Sequence, residues 1–543
     1  MTELDLSTKF NRGLCLSLID TNVVEAIRMY REYTSYLYAN DKAESYKKEL
    51  IAVRVAFLNK LSEFINDNKN KDKTYELIAA YQELITAFPN EPLFYKNAAD
   101  CFDTIEQFDI SAELLLKAEE INSDDIEIKK ALFHAYINLK DFEKAKEYAE
   151  VVAEKEPDDS DNYYRMGQVY DKLYDLTENE EYIKKAILNL EIAKKINPDK
   201  KIYHKGLTIL YTKTNNFEKV KETWKDCFRF RNELTNIDYI DYAMFLIREG
   251  DFKNGFEYYE ARFKSETRPV KYPSIKKPVY NGKQDISKKT LLVQAEQGHG
   301  DVFLFSRFFN DLKNKTAKII ARVPKTTEKI IRQSFPFVEV VSTKEDLNEA
   351  KFDCHIPLMS IPKAVGLTKD TIPYTDKYLV SDENLVREFK NKYFNNSKFK
   401  IGIVFEGSKR GLYTRNIKLD YLLPLALIDN VQVYSLQYKE PDETFKDTKI
   451  INTAPFIKTF DETAAIIENM DLIVTVDNSV MNLAGGLGKK TFCLFNLIPE
   501  FRWFDLSGDD VKWYKTVKPY QCKKQSEWEP VIERVVADIK GML

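Results

Sequence analysis

The sequence predicts a multidomain chain in which an all-α repeat region precedes an α/β region made of two parallel-sheet halves. Two observations support this prediction. Bulky aromatic residues recur at a spacing near 34 residues in the first half, and short apolar runs alternate with amphipathic segments in the second. A chain of 543 residues is also too long for one hydrophobic core, so we expect several domains.

Five aromatic residues define the repeat, with successive gaps of 34, 34, 41 and 34 residues: Phe102, Tyr136, Tyr170, Tyr211 and Phe245. A second set contains compact residues with gaps of 34, 41, 34 and 35: Ser111, Ala145, Ala186, Val220 and Gly255. The single gap of 41 occurs in both sets. We therefore expect the extra residues between Tyr170 and Ala186, where YDLTENEE (174–181) predicts a polar loop between two helices.

This spacing resembles the tetratricopeptide repeat, a helical hairpin of about 34 residues. Five such units fit residues 71–263, and residues 1–70 are predicted to form a helical cap without a repeat register. The resemblance implies a curved solenoid with a concave surface that binds a protein or an extended peptide.

Beyond a proline-containing connector at 264–289, the apolar runs predict strands of parallel sheets covered by helices. These runs cover residues 290–295, 318–323, 352–356, 400–405, 431–436, 472–476 and 491–495. The polar interval 380–398 divides them into Rossmann-like halves at 290–385 and 386–543, and a closing helix is expected after Glu527.

The first predicted strand runs into a loop with two glycines, which permit a tight turn and close approach of a ligand to the backbone. This loop contains Gln297, Gly298, His299, Gly300 and Asp301. Asp301 falls near the N-terminus of an amphipathic helix, where a carboxylate is electrostatically favoured. The pattern fits a ligand site or a simple capping aspartate. His299 is interpreted as a solvent-facing turn residue.

Polar residues also follow the strands of the second half. A basic loop after 400–405 contains Lys409, Arg410 and Arg415, which can neutralise a diphosphate. Gln437 follows the next strand, where it can meet a nucleoside.

The segment DLIVTVDNSVMNLAGGLGKKTFCLF (471–495) reads as strand, polar turn, helix and strand. Asp477, Asn478 and Ser479 stand at the start of its helix. Unpaired N–H groups at such a helix start can bind a phosphate at the carboxyl end of the strand. An ordinary βαβ unit is the alternative interpretation.

Taken in order, these segments resemble bacterial family-9-type, heptosyltransferase-like glycosyltransferases, especially those with an N-terminal tetratricopeptide array. The resemblance rests on LLVQAEQGHGDVFLFSRF, IGIVFEGSKR, YSLQ, the segment DETAAIIENMDLIVTVDNSVMNLAGGLGKKTF, FRWF and WYKTVKPYQ. The motif GDFKNGFEYYEARF (250–263) also looks like the repeat-to-transferase junction of such fusions.

The resemblance implies a GT-B fold and inverting transfer without a metal ion or cofactor. The nucleotide-sugar substrate lies on the C-terminal half, and the acceptor enters from the loop 297–300 on the N-terminal half. Asp301 matches the general base of these enzymes. Asp477, Ser479 and the following helix start match the loop that binds the donor phosphates.

One residue departs from the family pattern, because Asn482 stands where many relatives have histidine. Asparagine can donate a hydrogen bond to a phosphate but carries no positive charge. Three functions therefore stay open. The first is a transferase that acts on a protein or peptide held by the repeats. The second is a transferase that acts on a saccharide or lipid-linked acceptor, and the third is a non-catalytic repeat scaffold with a degenerate transferase domain.

Composition and charge exclude other classes. Lys and Arg number 82 against 86 Asp and Glu, so no basic surplus indicates a nucleic-acid partner. The six cysteines form no CxxC pair, which favours a reducing cytoplasm and predicts no metal site. No run of residues has the character of a signal peptide or a membrane span, and we expect a soluble cytoplasmic protein. The sequence does not specify the oligomeric state.

Overall fold

The computed structural model describes residues 12–19, 21–39, 71–87, 89–267, 270–407 and 415–543, together with positions 53, 56, 57 and 60. The chain divides into two compact units, one ending at Thr223 and the other beginning at Trp224. Most of the predicted cap at 1–70 lies outside the described residues. Two of its helices are described, α1 (Arg12–Ile19) and α2 (Val23–Ala39).

The first unit consists of successive helices that pack as antiparallel hairpins. After α3 (Lys71–Ala87), the paired helices are α4 (Pro92–Thr104), α5 (Phe108–Ile121), α6 (Ile126–Leu139), α7 (Phe142–Lys155), α8 (Ser160–Thr177), α9 (Glu180–Ile196), α10 (Lys201–Lys213) and α11 (Phe217–Cys227), whose last residues, from Trp224, belong to the second unit. The predicted compact positions are buried, with Ser111, Ala145 and Ala186 at 0% exposure. The prediction of tandem helical repeats is confirmed.

The turn inside each hairpin contains one residue with left-handed backbone geometry. In the first unit these residues have φ between 54° and 63°: Glu106, Lys140, Glu178 and Asn215. The left-handed region is costly for residues with a β-carbon, so the tight turn imposes this conformation. Asn215 is a residue type that favours this geometry, but Glu and Lys are not, so the sequence gives no sign of it in the other three turns.

The predicted polar loop at 174–181 is wrong. Helix α8 continues to Thr177 and α9 begins at Glu180, so most of the extra residues lengthen the two helices. The Asn179 side chain accepts a hydrogen bond from the Glu181 N–H and caps α9. Because a polar sequence can form exposed helix ends, its composition alone did not indicate a loop.

The second unit contains two sheets in which every ladder between named strands is parallel. The first has order β3-β2-β1-β4 and the second β10-β9-β8-β5-β6-β7. Their strands are β1 (Ile286–Gln294), β2 (Thr316–Val323), β3 (Val338–Ser342), β4 (Cys354–Pro357), β5 (Phe399–Val404), β6 (Val431–Ser435), β7 (Ile451–Asn452), β8 (Leu472–Val476), β9 (Thr491–Phe495) and β10 (Val517–Gln521). The predicted α/β class is confirmed.

Three strands were not predicted. β7 has only two residues. β3 is short, and the charged residue Glu339 interrupts its apolar sequence. β10 contains Lys518 and Pro519, which disfavour a central strand, but it lies at the sheet edge, where proline is tolerated.

The helices of the second unit begin with a hairpin that continues the repeat. They are α12 (Asn236–Arg248), α13 (Phe252–Tyr259), α14 (His299–Ser306), α15 (Phe309–Lys313), α16 (Glu328–Ser334), α17 (Ile361–Val365), α18 (Glu383–Tyr393), α19 (Phe460–Glu468), α20 (Ser479–Gly486) and α21 (Glu529–Lys540). Helices α12 and α13 share one hydrophobic core with the strands. The predicted halves meet inside α18, at 385/386, and the predicted closing helix is α21.

Arg307 links the two sheet-containing halves. Its side chain is completely buried, and its guanidinium donates hydrogen bonds to the carbonyl oxygens of Trp513 at 2.8 Å and Pro373 at 3.2 Å. The guanidinium also faces the rings of Tyr378 and Tyr514. The C-terminal segment is therefore anchored to helix α14.

Three tryptophans of the C-terminal segment are buried, and none exceeds 3% exposure: Trp503, Trp513 and Trp528. These side chains therefore anchor the C-terminal segment in the core of the second unit.

We expect Gly255→Ala to destabilise the α12–α13 hairpin. A β-carbon at this position would lie 2.6 Å from Ile247 Cγ1 and 3.0 Å from the Ile247 backbone nitrogen. Overpacking of this kind should lower the free energy of unfolding by about 1–2 kcal/mol, measured by urea denaturation. Gly508→Ala is the control, because the nearest atom to its β-carbon would be 3.8 Å away. Equal stability of the two variants would contradict the tight packing at Gly255.

Candidate functional site

The loop after β1 is shaped by a capping box at the start of α14. The Gly298 N–H donates a hydrogen bond to Asp301 Oδ2 at 2.9 Å. Gln297 donates through Nε2 to the Tyr259 hydroxyl at 3.0 Å. His299 is exposed, as predicted, with Nε2 3.0 Å from Thr326 Oγ1. Asp301 therefore caps α14, and its Oδ2 already accepts a hydrogen bond from the Gly298 N–H.

The loop after β8 is held by Asn478. Its Oδ1 accepts hydrogen bonds from the N–H groups of Val480 at 2.9 Å and Met481 at 3.1 Å, which caps α20. The Ser479 hydroxyl, at the first position of the helix, has no hydrogen bond with any described residue. Of the residues predicted to bind the nucleotide-sugar here, Asn478 caps the helix. The Ser479 hydroxyl is left available for a ligand.

Asn482 is 6% exposed and has partners within the protein for both ends of its amide. Its Nδ2 donates to the Asn478 carbonyl at 3.0 Å, and its Oδ1 accepts from the Tyr514 hydroxyl at 3.0 Å. Through these hydrogen bonds, Asn482 links α20 to the C-terminal segment.

The two loops come into direct contact at Gly300. A β-carbon there would lie 3.2 Å from Asn482 Nδ2 and 3.5 Å from Ser479 Cα. A β-carbon here would displace the Asn482 side chain by a few tenths of an ångström, so glycine favours the close approach of the two helix starts. Residues that follow strands of the two sheets are thereby brought together.

Ionic groups surround this contact. Arg502 forms ion pairs with Asp301 and with Glu500, and all three side chains are at most 20% exposed. Arg415 lies 3.7 Å from Asp477 Oδ2 and 3.5 Å from the Asp477 carbonyl oxygen. The Asp301–Arg502 pair joins the loop after β1 to the segment after β9.

Sequence reasoning did not identify Glu500 and Arg502 as site residues. Arg502 belongs to FRWF, a motif used only for the resemblance. A charged residue between aromatic residues was the available signal, since such a side chain needs a partner when its neighbours are buried.

Burial raises the pKa of Asp477 to about 6, and the charge of Glu500 contributes to the increase while Arg415 opposes it. Burial also raises the pKa of Asp301, against the favourable charge of Arg502. Two buried atoms beside this cluster, Asp477 Oδ2 and Trp503 Nε1, have no hydrogen-bond partner in the described part of the chain. The Trp503 side chain and Arg415 both lower the pKa of Asp477, so the Asp477 carboxyl group faces polar and charged groups of the protein itself.

The other predicted donor residues occupy different positions. Lys409 and Arg410 lie outside the described residues. Gln437 accepts a hydrogen bond from the Glu406 N–H at 3.1 Å, which joins the loops after β5 and β6. Across the described ranges, no group of His, Cys, Asp and Glu side chains is arranged to hold a metal ion. None of the helices in those ranges combines the length and apolar character needed to cross a bilayer.

Comparisons with known proteins cover parts of the chain. No family model matches. Protein FlbA of Caulobacter vibrioides is 23% identical over 336 residues, which cover 55% of this chain. The chain spans about half the length of this curated relative, with 54% of it covered.

Solved structures match the chain over about a third of its length. MamA (41-end) from Desulfovibrio magneticus RS-1 is 15% identical, with a TM-score of 0.29, and the match covers 32% of this chain and 93% of that one. The tetratricopeptide protein TTC0263 of Thermus thermophilus is 17% identical, with a TM-score of 0.28, and the match covers 33% of this chain and 92% of that one. At these TM-scores, we base no argument on the likenesses.

We expect Asp477→Asn to remove a pH-dependent cost of folding. With a folded pKa of about 6, above the ordinary value of 3.8, the folded protein retains a proton between these pH values that the unfolded chain releases. The free energy of unfolding therefore falls as pH rises through this interval, by up to about 3 kcal/mol. The variant should gain more stability relative to wild type at pH 7.5 than at pH 4.5.

Urea denaturation at both pH values measures this difference. Asp376→Asn is the control, because the Asp376 side chain is 72% exposed. A variant whose stability difference from wild type is the same at both pH values would show that Asp477 does not have the raised pKa.

Proposed function

We propose that the second unit is a metal-independent inverting glycosyltransferase of GT-B fold, which transfers a sugar from a nucleotide-sugar to a protein or peptide held by the helical repeats. One observation carries the proposal. The starts of α14 and α20, each at the carboxyl end of a parallel strand, meet at Gly300, with Asp301 on one side and Asp477 on the other. Crevices beyond the carboxyl ends of parallel strands are the usual ligand sites of such sheets.

The donor occupies the second sheet's crevice. Strand order reverses between β5 and β8, and the loops that follow these two strands lie together, with Gly407 beside Asn478. The Ser479 hydroxyl and the positive end of the α20 dipole face a diphosphate, and Arg415 supplies positive charge. Burial raises the pKa of Asp477, which reduces the charge repulsion between this carboxyl group and the phosphates.

In the proposed reaction, Asp301 accepts the proton of the acceptor hydroxyl. The acceptor hydroxyl attacks the anomeric carbon of the donor, its proton passes to the Asp301 carboxylate, and the bond to the diphosphate oxygen breaks. A pKa raised by burial makes the ionised Asp301 a stronger base. The N–H dipoles of α20 and the Arg415 guanidinium stabilise charge on the leaving diphosphate.

The contacts of Asn482 favour a non-catalytic repeat scaffold as the second candidate function. Asn482, at the position of the family histidine, uses both amide atoms for contacts inside the protein. One of its two amide N–H groups is therefore used within the protein, and the side chain carries no positive charge to stabilise a leaving group. A saccharide or lipid-linked acceptor is the other transferase alternative, and acceptor assays with peptides and saccharides separate the two.

Donor binding is tested by thermal-shift and calorimetric titration with UDP-, GDP-, ADP-, CMP- and dTDP-linked sugars. We expect Arg415→Ala to weaken binding of the preferred donor at least tenfold, because a charge-assisted contact to the diphosphate is lost. Arg387→Ala is the matched control, since its side chain is 69% exposed on α18. Equal affinity of both variants would remove Arg415 from the donor site.

Turnover is tested with Asp301→Asn, which keeps the size of the side chain but removes the base. The transfer rate should fall about 10²–10⁴-fold, while donor affinity stays within threefold of wild type. The release of nucleoside diphosphate measures the rate. Wild-type protein that binds its repeat partner but turns over none of these donors would favour the scaffold.

A further inference from the structure

The motif GDFKNGFEYYEARF (250–263) extends beyond the helical repeat into the candidate site. Its second half contains the end of α13 and the short 3-10 helix Glu260–Phe263. Two of its residues are almost completely buried, Tyr259 at 5% and Arg262 at 2% exposure. Neither residue takes part in the reaction described above.

Tyr259 contacts both segments that carry the Asp301–Arg502 ion pair. Its hydroxyl accepts the 3.0 Å hydrogen bond from Gln297, four residues before Asp301. Its ring lies 5.5 Å from the ring of Phe501, which precedes Arg502 in the chain. The Arg502 guanidinium in turn lies over the Phe501 ring, 4.6 Å from its centroid.

Arg262 fixes the residue before Gln297. Its Nη2 lies 3.0 Å from Glu296 Oε1 and donates to Ser360 Oγ at 2.8 Å. The Glu296 carboxylate also accepts hydrogen bonds from the N–H groups of Leu358 at 3.0 Å and Met359 at 3.2 Å. The ends of β1 and β4 are thus tied to the hairpin through one buried guanidinium.

From these contacts we infer that Tyr259 and Arg262 are positioning residues for Asp301, so that the last helical hairpin is a working part of the transferase site. The inference rests on the proposed function. The two side chains act through Gln297, Glu296 and Phe501, without contacting substrate. Small displacements of a base relative to the reacting hydroxyl are costly, because the proton transfer requires hydrogen-bond geometry.

A purely structural role is the competing explanation, since both residues also hold the hairpin to the core. Tyr259→Phe separates the two roles. It preserves the ring against Phe501 and removes only the oxygen that accepts from Gln297. Tyr258→Phe is the matched control on the same helix, because Tyr258 stacks on Tyr239 at 5.8 Å and has no hydrogen bond with any described residue.

The experiment uses full-length protein, with the donor found by titration. In Tyr259→Phe we expect kcat to fall about 5–50-fold, with donor KM within twofold and the melting temperature within 2 °C of wild type. Amide hydrogen exchange of residues 296–301 should be faster than in wild type. Tyr258→Phe should match wild type in all four measurements.

The variant Arg262→Lys provides a second, independent test of the positioning role. It keeps the positive charge beside Glu296 but loses the planar fork that binds Glu296, Glu260 and Ser360 together. We again expect faster exchange at 296–301 and lower kcat. A lower kcat with unchanged exchange, in both variants, would overturn the positioning mechanism.

The inference and the proposed function fail in different ways. If wild-type protein turns over none of the donors, the proposed function fails, and amide exchange alone decides whether the hairpin orders the Asp301 loop. If wild type is active but Tyr259→Phe equals Tyr258→Phe in both kcat and exchange, the positioning role is wrong and the transferase assignment stands.

Discussion

The contact between the starts of α14 and α20 constrains the rest of the second unit. Glycine at position 300 favours this contact, because a β-carbon there would lie 3.2 Å from Asn482 Nδ2. The contact also brings acidic side chains from both halves to one buried place, which then needs Arg502 and Arg415 nearby. Leaving buried carboxylates without cations costs several kcal/mol, so the charged cluster follows from the approach of the two helices.

This arrangement places opposing demands on the same residues. Capping α14 and pairing with Arg502 keep Asp301 in one orientation, but both contacts also stabilise its ionised form and moderate its basicity. Burial acts in the other direction and raises the pKa of both carboxyl groups. The net result is a pair of acids whose protonation depends on small changes in their surroundings, which is typical of functional sites.

Much of the fold could be predicted because its signals are local. Strands β8 and β9 were predicted with the bounds that the structure gives them, since buried parallel strands are short, continuous apolar runs. The repeat register followed from aromatic and compact positions at fixed spacing. The left-handed turn residues and β10 could not be predicted, because their conformations are imposed by neighbouring elements rather than by their own residue types.

The candidate site was only partly predictable for the same reason. The order of polar residues after strands identified Asp301, Asp477 and Ser479. The ion pair with Arg502 depends on how two halves dock, and no local pattern encodes that. The internal contacts of Asn482 are similar, because its partner Tyr514 is 32 residues away in the sequence.

The membership of α12 and α13 in the second unit has a consequence for how such a chain can evolve. Repeat arrays gain and lose units readily, because each hairpin interacts mainly with its neighbours. Duplication or loss upstream of Trp224 leaves every contact of Arg262 and Tyr259 intact. The hairpin α12–α13 lacks this freedom, since its sequence must satisfy the loops at the ends of β1 and β4. The number of repeats can therefore change without altering the contacts that α12–α13 makes with these two loops.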